Sequence, residues 1–202
     1  MQALFVHGMG RSPLSAWPNL RRLRRHGVAT QTFGYIATLQ SFTTIRDRLV
    51  RRLQRVALAG EYVVIGHSLG GVLLRAALAE LPPGTRLPQR VFLLASPIQP
   101  SHLAQQIRPR WLFRLATGDC GQLLASPARM AAVPVSPVPC TAIVGVGGPQ
   151  GRLSTFPGEA NDGIVSLREA SADWLTEIIP LPLMHTLLPA KRQVAELVLA
   201  RL

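Results

Sequence analysis

Residues 66–70 read Gly-His-Ser-Leu-Gly, which places Ser68 between two glycines. Serine occupies this pattern as a nucleophile where a strand turns sharply into a helix, because the tight turn exposes the hydroxyl and tolerates only small neighbours. The pattern alone is weak in a chain with 17 glycines. Its surroundings strengthen it, since 61–66 predicts a buried strand and 69–80 predicts an apolar helix. We therefore predict Ser68 as a nucleophile at a helix N-terminus, where developing negative charge is favoured.

A serine hydroxyl needs a general base near neutral pH. The histidines after Ser68 are His102 and His185. His102 begins a proline-rich segment, whereas His185 follows the predicted strand 175–181 and precedes the last predicted helix. That position is a loop at the carboxyl edge of an open α/β sheet, where active sites lie. The sequence therefore predicts His185 as the base.

The acid that orients the base has several candidates, which are Asp119, Glu159, Asp162 and Glu169. In a strand–turn–helix site of this type the chain order is serine, acid, histidine. Asp162 meets that order and follows the predicted strand 140–146, which places it at the correct edge of the sheet. The Asn-Asp-Gly sequence at 161–163 is also an ordinary turn signal. Asp162 is the preferred acid and Glu159 the second choice.

Acyl chemistry also needs backbone N–H groups that bind an oxyanion. One donor is expected at Leu69, the residue after the nucleophile, and the other in an early loop. Residues 7–10 read His-Gly-Met-Gly directly after the first predicted strand, and the N–H of Met9 is the candidate. We expect His7 and His67 to be structural, each forming a hydrogen bond with nearby backbone.

These residues must be positioned by alternating strands and helices. Apolar runs predict strands at 2–7, 29–34, 61–66, 90–95, 140–146 and 175–181. Helical spacing of apolar residues predicts helices near 15–26, 41–58, 69–80, 101–116 and 189–202, the last with Pro189 in its first turn. Several strand runs are continuously apolar, as in a parallel sheet covered on both faces. We predict a doubly wound, mostly parallel six-stranded α/β sheet in a single domain over 1–202.

Residues 97–139 interrupt the alternation with seven prolines. A connection of this length often forms a lid or a binding wall, and we expect one of these here. Six apolar residues of the segment are candidates for an acyl-binding wall: Trp111, Leu112, Phe113, Leu115, Leu123 and Leu124. Core packing of an amphipathic helix explains them equally well.

The formal net charge of +12 comes from 22 basic residues, nearly all arginine, clustered at 21–25 and 46–55. The favoured interpretation is two solvated helix faces, because apolar residues recur between the arginines at helical spacing. Without a nucleic-acid motif we expect no nucleic-acid partner, and a weak electrostatic association with an anionic membrane surface is the alternative. Cys120 and Cys140 lack histidines at metal-ligand spacing, so free thiols are expected. With no secretory pattern or long apolar run, a cytoplasmic location is expected.

Four segments together resemble the α/β-hydrolase superfamily: 7–10, 66–71, 161–166 and His185. Within it the chain is similar to small bacterial lipase/esterase-like proteins of the EstA-type triacylglycerol esterase/lipase group. The resemblance extends over nearly the whole chain, including 111–124. It implies a triad and two oxyanion donors, which are Ser68, Asp162 and His185 with Met9 and Leu69. The match of the acid loop is the best reason to prefer Asp162 over Glu159.

The expected reaction is hydrolysis of a small-molecule or lipid ester through an acyl-enzyme on Ser68. This chemistry needs neither a metal nor an organic cofactor. Acyl transfer to an acceptor other than water would use the same residues. A catalytically idle scaffold that acts as a binding protein is a further hypothesis, against which the intact set of Ser68, Asp162 and His185 argues.

Overall fold

Six parallel strands form one sheet in the spatial order β2-β1-β3-β4-β5-β6. The computed structural model describes residues 1–107, 111–151 and 154–202. The strands are β1 (Gln2–Val6), β2 (Ala29–Phe33), β3 (Tyr62–His67), β4 (Val91–Leu94), β5 (Cys140–Gly145) and β6 (Glu177–Leu181). Every predicted strand is present, with its ends within two residues of the prediction. The predicted α/β sheet is therefore confirmed.

The four central strands, β1, β3, β4 and β5, are buried along their whole length. Helices cover both of their faces, so every side chain of these strands meets apolar neighbours, whichever way it points. This explains why their sequences run continuously apolar without alternation. The edge strands β2 and β6 are partly exposed, and β2 contains three polar residues, Thr30, Gln31 and Thr32.

Helices cover the sheet on both sides. They are α1 (Trp17–Arg25), α2 (Phe42–Leu58), α3 (Leu69–Ala79), α4 (His102–Ile107), α5 (Trp111–Leu124), α6 (Pro127–Ala131) and α7 (Arg192–Leu199). Two 3-10 helices span Pro13–Ala16 and His185–Ala190. One face of the sheet packs against α1 and α7, and the other packs against α2 and α3.

Helix α2 shows how the arginine-rich sequence folds. Its N-cap is Ser41, whose hydroxyl accepts a hydrogen bond from the N–H of Thr44 at 3.1 Å. Its apolar stripe is almost fully buried, and consists of Ile45, Leu49, Leu53 and Val56. The arginines between these positions lie on the outer face, as the spacing predicts.

Two helix predictions need correction. The helix predicted at 101–116 is two helices, α4 and α5, and its residues 108–110 lie outside the described part of the chain. Helix α5 runs on to Leu124 and is broken at Gly118, where φ is 57°. Pro189 does not begin the last helix, because it belongs to the 3-10 helix that precedes the extended residue Lys191.

Candidate active site

Ser68 occupies the turn between β3 and α3 in a strained backbone conformation, with φ 52° and ψ −123°. Few residues other than glycine adopt a positive φ, and such strain persists only where surrounding structure enforces it. The N–H of Ser68 donates to the carbonyl of Leu94 on β4 at 2.9 Å, which ties the turn to the sheet. The side chain is only partly buried. The geometry thus presents a serine hydroxyl at the carboxyl edge of the sheet.

Gly66 and Gly70 allow this turn because other backbone crosses directly over them. A Cβ atom at Gly66 would lie 2.5 Å from the Cα of Gly71, and one at Gly70 would overlap the carbonyl oxygens of Val6 and His7. Real Cβ atoms do not approach so closely, so a larger residue would push α3 away from β1 and β3. Both glycines are therefore required by packing around Ser68.

His185 and Asp162 form a buried hydrogen-bonded pair. Nδ1 of His185 lies 2.7 Å from Oδ2 of Asp162, with side-chain exposures of 8% and 0%. The other carboxylate oxygen, Oδ1, accepts hydrogen bonds from the N–H groups of Ile164 at 2.9 Å and Val165 at 2.8 Å. The N–H of His185 also donates to the carbonyl of Asp162 at 3.0 Å. With Nδ1 donating to a carboxylate, Nε2 is the ring atom left to accept a proton.

The loop that carries Asp162 is both a turn and a side-chain scaffold. Asn161 is fully buried, and its Oδ1 accepts from the N–H of Gly163 at 2.9 Å. Its Nδ2 donates to the carbonyls of Glu159 at 2.9 Å and Pro149 at 3.2 Å. Gly163 has φ 95°, a conformation that favours glycine. The Asn-Asp-Gly turn that the sequence predicts is therefore also the structure that holds Asp162 in place.

The other acid candidates bond elsewhere. Asp119 pairs with Arg129, Glu159 with Arg168, and Glu169 accepts from the N–H groups of His102 and Ser166. Burial raises the pKa of Glu169, and the two N–H donors oppose that rise. Asp162 is thus the candidate that the fold brings to His185, and the second choice, Glu159, does not contact that ring.

The loop after β1 passes close to the nucleophile. A Cβ atom at Gly8 would lie 3.0 Å from Cβ of Ser68. The carbonyl of Gly8 accepts hydrogen bonds from the N–H of Arg11 at 3.3 Å and from Nδ1 of His7 at 2.8 Å. In the described chain the N–H groups of Met9 and Leu69 have no intramolecular acceptor, as expected for a loop and the first turn of a helix. Both remain available to a developing oxyanion.

His7 fixes this loop from behind. Its Nδ1 donates to Gly8, its Nε2 accepts from the N–H of Tyr35 at 3.3 Å, and its ring stacks on Tyr35 with centroids 4.2 Å apart. The hydroxyl of Tyr35 donates back to the carbonyl of His7 at 2.7 Å. Burial lowers the pKa of His7, so the ring stays neutral and keeps one donor and one acceptor.

His67 connects the turn that carries Ser68 to the base His185. Its Nε2 lies 3.1 Å from the carbonyl oxygen of His185, and the two ring centroids are 4.7 Å apart. Burial, and then the proximity of His185, lower the pKa of His67 well below its ordinary value. The sequence predicts a bond to nearby backbone but not this partner, which lies 118 positions away.

The fold therefore brings His67, the residue before Ser68, against His185. In the described residues no hydrogen bond joins the hydroxyl of Ser68 to Nε2 of His185. Such contacts are often long in the absence of substrate and shorten when it binds. The arrangement as a whole can support attack by a serine hydroxyl, proton transfer by an oriented imidazole and binding of an oxyanion.

Sequence comparison assigns the fold to a family. Residues 3–198 match the model described as an alpha/beta hydrolase family. The chain belongs to the alpha/beta hydrolase family. No curated protein matches the sequence significantly.

Solved structures share the alpha/beta hydrolase fold of this chain at low sequence identity. A lipase of Bacillus licheniformis in its propeptide form matches with TM-score 0.68 and 15% identity, over 92% of this chain and 46% of that one. A methylesterase from Arabidopsis matches with TM-score 0.64 and 16% identity, over 100% and 98%. A thioesterase from the prodiginine pathway of Streptomyces coelicolor matches with TM-score 0.61 and 15% identity, over 99% and 84%. This chain thus spans less than half the length of the lipase chain.

In this alpha/beta hydrolase the candidate acyl-binding residues divide into two groups. Trp111, Leu112 and Leu115 on α5 are 69%, 59% and 70% exposed, and Phe113 is partly buried against the core. Leu123 and Leu124 are core residues, as the packing hypothesis predicts. An exposed apolar surface therefore remains at the start of α5.

The described part of the chain has neither a metal-binding cluster nor a membrane-spanning helix. No group of three histidine, cysteine or acidic side chains could hold a metal ion in the described ranges. Among the helices described above, none is long and apolar enough to cross a membrane.

Proposed function

We propose that the protein hydrolyses carboxylic esters through an acyl-enzyme on Ser68. The observation that carries this proposal is the buried 2.7 Å contact between His185 and Asp162, held against the strained turn that presents Ser68. A histidine with one nitrogen bound to a buried carboxylate is oriented to accept a proton on the other. That is the requirement for activating a serine hydroxyl near neutral pH.

In the proposed reaction Nε2 of His185 takes the proton of Ser68 as its oxygen attacks the ester carbonyl. Asp162 keeps the imidazole in the required tautomer and stabilises its charged form. The N–H groups of Met9 and Leu69 donate to the oxyanion of the tetrahedral intermediate. His185 then gives the proton to the departing alcohol, and the same base activates the water that releases the acid.

The substrate class rests on two supports. Solved structures with this fold include a lipase, a methylesterase and a thioesterase. Trp111, Leu112 and Leu115 are exposed on α5 and Phe113 packs partly against the core, and we assign this apolar surface to the acyl group. We propose a small-molecule or lipid ester with an apolar acyl group, in keeping with the resemblance to small bacterial EstA-type esterases.

The test combines a fluorophosphonate probe with a series of p-nitrophenyl esters on wild type and Ser68→Ala. Wild type is expected to react covalently with the probe and to hydrolyse at least one ester. Ser68→Ala should lose labelling and about 10⁴-fold in kcat, because the nucleophile is gone. The matched control is Ser12→Ala, which changes an exposed serine whose side chain makes no capping bond.

Each outcome decides a different part of the proposal. Wild type that neither labels nor hydrolyses any ester would show that the enzyme hypothesis is wrong. Full activity in Ser68→Ala would leave the enzyme hypothesis standing and reject the nucleophile.

A further inference from the structure

Four arginines converge beside the edge strand β2. Arg48, Arg51, Arg52 and Arg55 on α2 line a groove of about 380 Å³ together with residues 32–34 at the end of β2. Arginine brings a guanidinium fork that suits phosphate and carboxylate oxygens. The groove therefore has the chemistry of a surface that meets anions.

A second groove adjoins the first. Its volume is about 460 Å³, and Arg52 lines both grooves. Here Arg52 faces Arg24 of α1 across the strand, with Leu14 and Trp17 alongside. We call the five residues Arg24, Arg48, Arg51, Arg52 and Arg55 the basic face.

No carboxylate neutralises the basic face in the described part of the chain. Helix α1 and strand β2 contain no acidic residue. The acid of α2, Asp47, pairs with Arg46 at 2.8 Å, outside the face. Arg24 and Arg55 donate to carbonyls of their own helices, and such bonds hold a guanidinium without removing its charge. The positive potential is therefore uncompensated.

Exposed apolar residues border the same face. Leu14 and Trp17 are 74% and 49% exposed, and Ile36 and Leu39 are 56% and 80% exposed. The last two lie on an ordered turn, in which the N–H of Leu39 donates to the carbonyl of Ile36 at 3.2 Å. Single exposed apolar residues are ordinary, but several grouped beside one charged surface indicate an interaction site.

The apolar turn and the basic face are physically joined. Arg48 donates to the carbonyl of Gly34 at 3.4 Å, and Gly34 begins the segment that leads to Ile36. Between them lies Tyr35, which bonds His7 behind the loop of Met9. The surface therefore reaches the carboxyl edge of the sheet, where Ser68 lies.

We propose that the basic face docks on the surface of an anionic phospholipid membrane. Arginines contribute attraction to acidic headgroups, while bordering aromatic and aliphatic side chains enter the interface, the combination that peripheral membrane surfaces use. A nucleic acid would also be attracted by the positive charge. The four exposed apolar side chains that border the face fit a lipid interface better, because they can enter the membrane. This inference goes beyond the proposed ester hydrolysis and does not depend on it.

The test is co-sedimentation of the whole protein with lipid vesicles at low and moderate salt. Wild type should bind phosphatidylcholine vesicles containing about 30% phosphatidylglycerol and should not bind pure phosphatidylcholine. The variant R51Q/R52Q/R55Q should bind the anionic vesicles about 100-fold more weakly, since each arginine near the surface contributes roughly fivefold. The charge-matched control R86Q/R168Q/R192Q removes three exposed arginines elsewhere and should bind nearly as wild type.

A second variant separates lipid from other polyanions and keeps the charge constant. Leu39→Gln should weaken vesicle binding about fivefold and leave binding to a 20-nucleotide single-stranded DNA unchanged. The proposal is overturned if both triple variants lose binding equally or if wild type binds neutral vesicles as well as anionic ones. It is also overturned if the DNA binds and anionic vesicles do not, which would identify a nucleic-acid surface.

Discussion

The carboxylate of Asp162 divides its two oxygens between two roles. Oδ1 accepts hydrogen bonds from two backbone N–H groups of its own loop, and Oδ2 accepts a hydrogen bond from Nδ1 of His185. Because the backbone fixes the plane of the carboxylate, Oδ2 meets the imidazole in one orientation. A base held this way loses little entropy when it takes up the proton of Ser68.

Replacing Asp162 with asparagine tests this role directly. The amide keeps the shape of the side chain but favours the wrong histidine tautomer, so kcat for a p-nitrophenyl ester should fall by about 10³ to 10⁴. The matched control is Glu159→Gln, which alters the second-choice acid and should retain most of the activity. A larger loss in the Glu159 variant than in the Asp162 variant would exchange the two assignments.

At the scale of elements, burial determines what the sequence reveals. The central strands and α2 were predictable because each side chain reports its own surroundings, through continuous apolar runs or a stripe at helical spacing. The break in α5 at Gly118 was not predictable from local sequence. A Cβ atom there would meet the carbonyls of Ala37 and Thr38, so the position depends on residues that are remote in sequence.

The candidate site divides in the same way. Chain order and the edge of the sheet favoured Ser68, Asp162 and His185, and the resemblance of the acid loop decided between Asp162 and Glu159. The contact from His67 to the carbonyl of His185 depends on how two loops pack, and no local pattern encodes it. Sequence thus predicted that Asp162 and His185 lie together, and packing determined how the base is held.

Helix α5 supplies a prediction about substrate preference. The double variant W111A/L115A deletes exposed apolar surface that we assign to the acyl group. Loss of roughly 50 Å² of apolar contact is worth about 1 kcal/mol, so KM for p-nitrophenyl decanoate should rise about five- to tenfold. KM for p-nitrophenyl acetate should stay constant because its acyl group has little apolar surface to bury.

The matched control for that double variant is Leu58→Ala, which removes an 88% exposed leucine from the end of α2. It should change neither KM. Equal losses on decanoate and acetate in the α5 variant would mean that the helix supports the chemistry rather than the acyl group.

The whole molecule combines an arginine-rich surface with buried histidines behind the active site. Most of the arginines that give the net charge of +12 lie at the surface, where one group forms the basic face, whereas Arg75 is buried. The buried histidines behind the active site must stay uncharged, because the interior solvates an imidazolium poorly and His185 lies beside His67. Acid should therefore destabilise the fold through these rings.

The direction of the pH dependence of stability follows from the number of protons that the folded and unfolded states bind. Burial lowers the pKa of His7 and of His67 in the folded state, so below about pH 6.5 the unfolded chain binds protons that the folded chain does not. The free energy of unfolding therefore decreases as the pH is lowered, by at most about 1.4 kcal/mol per pH unit for each histidine. Glu169 acts oppositely, because its raised pKa means that acid protonates the folded state first.

His67→Gln isolates one of these contributions, since glutamine is neutral throughout and its amide can still donate to the carbonyl of His185. Between pH 6 and pH 5, urea unfolding should show wild type losing about 1 kcal/mol more stability than the variant, with similar slopes above pH 7.5. His26→Gln is the control, because His26 is exposed and remains in water in both states. If wild type and His67→Gln lose stability in parallel, the buried ring is not what makes the fold acid-sensitive.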